Sequence, residues 1–224
     1  MPGILVVDDQ YLIRAGIVAL LRTNPRLPAV SEAVDGPTAI ESARGLRPEV
    51  ILMDIRMPGM TGLSAARQIL DLDLRPRPRI LVLTTYDTDD YVYAALKAGC
   101  SGFLLKDMPP GQLLDAVSAT LHADLLIAPA RLKHLIEVHA PAARPAAMTA
   151  LDQLTGREIE VLELVGRGMA NDDIARRIHV TESTVKTHLH NLMTKLGLRS
   201  RAQAVVVAYE TRLVPVGGTL APGM

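Results

Sequence analysis

Apolar and polar positions divide this chain into two unlike parts. Over the first 122 residues, short unbroken apolar runs alternate with longer segments of helical spacing. Ile4-Leu5-Val6-Val7 and Val50-Ile51-Leu52-Met53 are apolar at every position, as in a strand buried on both faces of a parallel sheet. Leu12, Ile13, Ile17, Leu20 and Leu21 instead recur every three or four positions, which predicts a helix over 10–22. Strands are predicted at 3–7, 29–33, 50–54, 79–84 and 101–105. Helices follow them at 10–22, from Pro37 to about Arg44, from the cap residue Thr61 to about Asp71, at 88–98 and at 109–122. Gly45 and Gly99 are read as helix stops, and Arg75-Pro76-Arg77-Pro78 as a break before the fourth strand. Five β–α alternations imply a parallel sheet covered by helices on both faces.

After residue 147 the pattern is helical throughout. Residues 123–147 read as a linker, with a possible helix over Leu125–Val138 and then an extended stretch holding Pro141 and Pro145. Thr155 and Glu158 form a capping box that opens a helix with Ile159, Leu162, Leu164 and Val165 on its apolar face. Gly166 and Gly168 are read as its end. A short helix over Asn171–Ile178, a turn at His179-Val180, a longer helix from the Thr181 cap to Leu196 and a last helix over about Arg201–Thr211 follow. A short helix, a tight turn and a polar-faced helix make a helix-turn-helix pattern over about 171–190, although any small helical bundle shares that periodicity. The expected layout is a first domain at 1–122, a linker at 123–147, a helical domain at 148–213 and a disordered tail at 214–224, where Gly and Pro are frequent.

Composition narrows the function. Lys plus Arg and Asp plus Glu are both 24, so no bulk charge attracts nucleic acid. The distribution is less even: from Ser183 to Tyr209 the charged side chains are Lys186, Lys195, Arg199 and Arg201, with no carboxylate among them. No apolar run reaches the ~18 residues a membrane span needs, and no leader-like segment opens the chain, so a cytoplasmic protein without membrane contact is expected. The single Cys100 fits a reducing compartment as a small buried apolar residue.

Candidate chemistry lies where the apolar runs stop. Asp54 ends one strand, and Asp8-Asp9 ends another. Alone, Asp54 reads equally well as a loop or helix cap. If the two strands are adjacent, three carboxylates meet at one sheet edge, which raises their pKa values unless a cation joins them. A hard divalent ion such as Mg²⁺ meets that need. Thr84 and Lys106, at or after two further strands, add a hydroxyl and an ammonium suited to phosphoryl oxygens.

Asp8-Asp9, Asp54 with Met57-Pro58-Gly59, Thr84 and Lys106 resemble, in order and spacing, the receiver domain of two-component response regulators. The resemblance implies a flavodoxin-like (βα)5 fold with strand order 2-1-3-4-5. It implies that Asp54 accepts a phosphoryl group from a sensor histidine kinase. By the same resemblance Asp9, Asp54 and the backbone carbonyl of Arg56 hold Mg²⁺, Asp8 assists through water, and Lys106 pairs with the phosphoryl group. Phe103 matches the family's switch aromatic, which responds when the Thr84 hydroxyl moves; it reads equally as a core aromatic on a strand.

Leu154-Thr-Gly-Arg-Glu158, Gly168-Met-Ala-Asn-Asp-Asp-Ile-Ala175, Thr184-Val-Lys-Thr-His188 and Lys195-Leu196-Gly197 look like the LuxR-type helix-turn-helix. Together the two resemblances give the layout of the NarL/FixJ response regulators, whose second domain is a separate four-helix, all-α unit. On the helix 182–196, Val185, Leu189, Leu192 and Leu196 should pack inward. Thr184, Lys186, Thr187, His190, Asn191 and Lys195 should face double-stranded DNA. Lys186 is placed to meet a guanine edge or a phosphate, against the alternative of a solvated lysine. His188 supports a backbone contact or simply packs. Ala170 stands where many relatives have a capping Ser, and Asn171 is expected to substitute in part. Val205 and Val206, with Ala208, are candidates either for a dimer contact or for burial against residues 158–165. A phosphorylated homodimer on DNA is implied.

The expected function is therefore a DNA-binding response regulator that catalyses only its own phosphotransfer and dephosphorylation. One rival is a regulator whose receiver takes no phosphate and serves only protein contact. A second, a hydrolase of the haloacid-dehalogenase kind, needs an Asp two positions after the nucleophile, where this chain has Arg56.

Overall fold

The computed structural model describes residues 3–84, 89–122 and 151–215, which fall into two compact units on either side of residue 126. The predicted linker helix over Leu125–Val138 lies outside the described residues, as does most of the predicted tail.

In the first unit, strands β1 (Ile4–Val7), β2 (Val30–Ala33), β3 (Val50–Asp54), β4 (Arg79–Thr84) and β5 (Gly102–Leu105) form one sheet in the order β2-β1-β3-β4-β5. All four pairings are parallel. The helices between and after them are α1 (Tyr11–Arg22), α2 (Gly36–Leu46), α3 (Gly62–Asp71), α4 (Asp89–Ala98) and α5 (Pro110–His122). Side-chain alternation sorts the strand residues into two cores. Ile4, Val6, Val50, Leu52, Leu81, Leu83 and Leu104 join Ile17, Val18 and Leu21 of α1 and Leu113 and Val117 of α5 in one cluster. The alternate residues, such as Leu5, Ile51 and Val82, are equally buried and face the other layer.

The helix boundaries show which signals were sound. Thr61 does cap α3, its hydroxyl accepting from the Ser64 amide. Helix α2, however, starts from a capping box on Asp35 and Thr38 and runs through Gly45. Its left-handed stop is Arg47, at φ 48°, so Gly45 is no terminator. The helix continues to Leu46 although Arg44, Gly45 and Leu46 are all exposed, so nothing buried accounts for the extra half-turn.

The second unit contains α6 (Gly156–Gly166), α7 (Asn171–Arg177), α8 (Glu182–Lys195) and α9 (Arg201–Glu210). The Thr155–Glu158 capping box is present in both directions. Gly166 is the last residue of α6, with the left-handed turn at Gly168, and glycine is needed at 166 for packing: a Cβ there would stand 2.5 Å from the Ala208 Cβ and 2.8 Å from Val214. Val214 is buried and its amide donates to the Ala208 carbonyl, so the predicted disordered tail does not begin at residue 214. Val205 and Val206 are 1% and 2% exposed, spent inside this unit where α9 packs on α6. They are not available as a dimer contact within it. No helix among the described residues is long and apolar enough to cross a membrane.

Candidate functional site

The strand alternation that buries Ile4 and Val6, Val50 and Leu52, and Leu104 carries Asp8, Asp54 and Lys106 to the carboxyl end of the same face. β1 and β3 are direct neighbours, in register through Val7 and Met53, so Asp8 and Asp54 leave the sheet side by side. This edge, between strands whose connections run in opposite directions, is where parallel α/β sheets bind ligands. Carboxylate oxygens of Asp8, Asp9 and Asp54 lie within 4.8 Å of one another. Lys106 Nζ stands 2.7 Å from Asp8 Oδ2 and 2.9 Å from Asp54 Oδ2.

One ammonium reaches two of the three carboxylates, and the balance shows in Asp54 and in Lys106 itself. Burial holds the Asp54 carboxyl above the usual carboxylate range, outweighing the hydrogen bond and charge of Lys106. Burial pulls Lys106 the other way, but its bonds to Asp8 and Asp54 win and hold the ammonium above its ordinary value. Among the described residues, Asp8 Oδ2 and Asp54 Oδ2 have that ammonium and no hydrogen-bond donor besides, while Asp9 Oδ1 is buried with no hydrogen-bond partner. Buried oxygens in that condition are costly and mark a place built for something else.

The surrounding residues divide by function. Thr84 and Phe103 are buried on the strands beside the pocket, Phe103 opposite Val82 and Thr84 opposite Leu105. The Arg56 amide donates to Asp54 Oδ1 at 3.3 Å, and its exposed guanidinium lies over the Tyr91 ring of α4 at 5.7 Å. Cys100 is fully buried, as its sequence context implied, and burial pushes its thiol up to about 12.

Two residues that sequence reasoning passed over hold this pocket together. Gly62 opens α3 directly against Asp54: a Cβ there would lie 1.8 Å from the Asp54 carbonyl oxygen. Arg14 is 6% exposed, and its Nη1 donates to the Asp8 carbonyl at 2.7 Å. Both left a signal. Arg14 occupies a position in the inward stripe of α1 with Ile17, Val18 and Leu21, where a charge is out of place.

In the second unit the exposed face of α8 carries Lys186, Thr187, His190 and Asn191, with Thr184 and His188 half-buried. Val185, Leu189 and Leu192 face inward as the spacing predicted. Lys186 forms an ion pair with Glu182 one turn earlier, at 2.7 Å, with both side chains more than half open to solvent or nearly so. Lys195 differs from the rest of the predicted face: its Nζ binds Glu158 Oε2 at 2.7 Å, and Glu158 is the buried end of the α6 capping box. Lys195, with the bond from the Thr155 amide, holds the Glu158 carboxyl below its ordinary range. The expected cap from Asn171 is absent too. Ala170 caps α7 with no side-chain bond, because Asn171 Oδ1 accepts from the buried Arg201, whose other nitrogen binds the Met169 carbonyl.

Comparison with known proteins agrees with both halves. Residues 4–118 match the family described as the response regulator receiver domain, and residues 152–208 match the bacterial regulatory proteins of the luxR family. The uncharacterized transcriptional regulatory protein YxjL of Bacillus subtilis is 36% identical over 212 residues, 94% of this chain and 96% of that protein. The nitrate/nitrite response regulator protein NarL of Escherichia coli K12 is 36% identical over 210 residues, again 94% of this chain and 96% of its own length. Among solved structures, the response regulator ChrA of a heme-sensing two-component system is 33% identical with a TM-score of 0.50, over 95% of this chain and 98% of that one.

Proposed function

The chain belongs to the response regulators, with a receiver domain and a LuxR-type DNA-binding domain, and from that premise we propose that Asp54 is its phosphoacceptor and α8 its recognition helix. It is a two-component response regulator that controls transcription. The observation that carries the Asp54 assignment is the Lys106 ammonium, 2.9 Å from a carboxylate that burial makes costly to leave charged.

In the proposed reaction an Asp54 carboxylate oxygen attacks the phosphorus of a sensor kinase's phosphohistidine. The P–N bond breaks, the imidazole leaves with its electron pair, and an acyl phosphate remains. Lys106, already protonated and oriented, follows the charge from the carboxylate to the new phosphoryl oxygens. The Thr84 hydroxyl would move to the phosphoryl group and Phe103 would turn inward in response. Three close carboxylates with an orphaned Asp9 oxygen fit Mg²⁺, a small hard ion that takes oxygen ligands. Asp9, Asp54 and the Arg56 carbonyl would hold it, with Asp8 assisting, and it would offset the phosphoryl charge. No further enzymatic activity is assigned.

For DNA, Thr184, Lys186, Thr187, His188, His190 and Asn191 form the proposed face, with Lys186 at its centre. Lys195 is set aside from that face by its bond to Glu158. Phosphorylated copies would bind as a homodimer on paired half-sites, in the cytoplasm, from domains bounded near residues 122 and 148. The test is chemical: incubation with Mg²⁺ and a small acyl phosphate should add one phosphoryl group, which mass spectrometry of peptides should place on Asp54. Absence of labelling in the intact protein would leave a regulator whose receiver serves protein contact only.

A further inference from the structure

We infer that Arg14 is a positioning residue for the acidic pocket: it fixes the backbone at Asp8 and so sets the aim of the Asp8-Asp9 pair toward a divalent cation. This rests on the reading of that pocket as an Mg²⁺ site. Arg14 sits on α1, beside Tyr11 of the same helix, yet it reaches two other pieces of the unit. Nη1 donates to the Asp8 carbonyl at 2.7 Å, Nε donates to Glu32 Oε2 of β2 at 2.9 Å, and the guanidinium lies over the Tyr11 ring at 5.7 Å. The side chain is 8% exposed while that of Glu32 is 48% exposed. A planar guanidinium held at two nitrogens has little freedom left, which a lysine ammonium cannot match.

The link it secures is otherwise held by the Asp8 amide, which donates to the Ala33 carbonyl at 3.4 Å, and by the Asp8 carboxylate. Asp8 and Asp9 follow the last residue of β1, and α1 has no side-chain cap at Gln10. The Asp8 carboxylate is already divided between the Gln10 amide at 2.9 Å and Lys106. Its carbonyl is the remaining point from which the turn can be fixed to a rigid helix. Groups that orient metal ligands commonly contribute as much to affinity as a weaker ligand does.

The sign of the effect separates positioning from simple charge. Arg14 is a cation near a cation site, so by Coulomb's law its removal should tighten Mg²⁺ binding. Loss of an orienting contact should weaken it. Mg²⁺ titration of the full chain, followed through the amide NMR signals of Asp8, Asp9 and Gln10, reads this directly. In Arg14→Gln the affinity is expected to fall about tenfold, and in Glu32→Gln, which keeps an acceptor for Nε, to stay within about twofold. Unchanged or tighter binding in Arg14→Gln overturns the inference. If Arg14→Gln does not fold at the measuring temperature, Arg14→Lys decides: it keeps the charge but spans one partner, so severalfold weaker binding supports positioning and wild-type binding refutes it. Failure of the wild-type chain to bind Mg²⁺ at all removes the pocket's own assignment, and the inference with it, a result distinct from either outcome for the variants.

Discussion

The receiver's sheet edge and the helical unit treat buried charge in opposite ways. At the receiver's sheet edge Asp8 and Asp54 share the Lys106 ammonium, and one buried oxygen of Asp9 has no hydrogen-bond partner among the described residues. In the helical unit the buried charges are answered: Glu158 by Thr155 and Lys195, and Arg201 by Asn171 and the Met169 carbonyl. Unanswered charge points to where chemistry occurs; answered charge belongs to the scaffold, and there function sits on the exposed face instead. The distinction also moves Lys195 from one class to the other.

Asp54→Asn tests the receiver half most sharply. It should abolish labelling by acyl phosphate, and labelling that persists undiminished in this variant would sink the assignment. The same substitution should raise the receiver's melting temperature by a few degrees near neutral pH. The sign follows from the raised carboxyl: a group that holds its proton more tightly when folded contributes stability at low pH and loses it as pH climbs through its folded pKa. A melting temperature that falls would mean that Lys106 more than compensates the burial.

In the helical half, Glu158→Ala should cost about 2 kcal/mol, since it removes one half of a capping box and a charged hydrogen bond. Thermal melting or hydrogen exchange across α6 and α8 measures it. Glu158 titrates below its usual range, so its contribution is present above the ordinary glutamate pKa and is lost as pH falls through the lowered folded value. The wild-type advantage over Glu158→Ala should therefore shrink in acid; an advantage independent of pH would remove the ion pair from the account.

Lys186→Ala should leave stability nearly unchanged and weaken DNA binding. A base contact predicts a loss of about 1–3 kcal/mol confined to one base position. A phosphate contact predicts a uniform loss and a salt dependence shallower by about one unit. Affinity unchanged at fixed salt on the best operator excludes both. The smallest effect is expected from Lys195→Ala, which should lower stability by roughly 1 kcal/mol without altering base preference. If base preference does shift, the division between scaffold and exposed face fails at that residue.

Much of the receiver was legible because its chemistry is tied to strand ends. Apolar runs that stop at Asp8-Asp9 and Asp54 report fold and site together, and the parallel order β2-β1-β3-β4-β5 brings them side by side. The helical face was legible only in outline. Helical spacing separates Val185, Leu189 and Leu192 from Lys186 and His190, but it does not say which outward cation already has a partner 37 residues away in the chain. Val205 and Val206 could not be assigned for the same reason: an apolar stripe looks alike whether its cover is α6 or a second copy. The packing of Gly166 depends on neighbours that local sequence does not contain.

Gly62 has a consequence for anyone reading mutational data on this chain. A survey of every substitution, scored by signalling output, would rank position 62 with Asp54 and Lys106. Any side chain at all would drive its Cβ into the Asp54 carbonyl, 1.8 Å away, and shift the acceptor itself. Intolerance there would look like chemical participation, although the residue has no functional group to contribute. Thr61, exposed one position earlier, should accept Ser or Asp with little loss of signal. The abrupt change in tolerance between two adjacent residues would be the signature of backbone crowding.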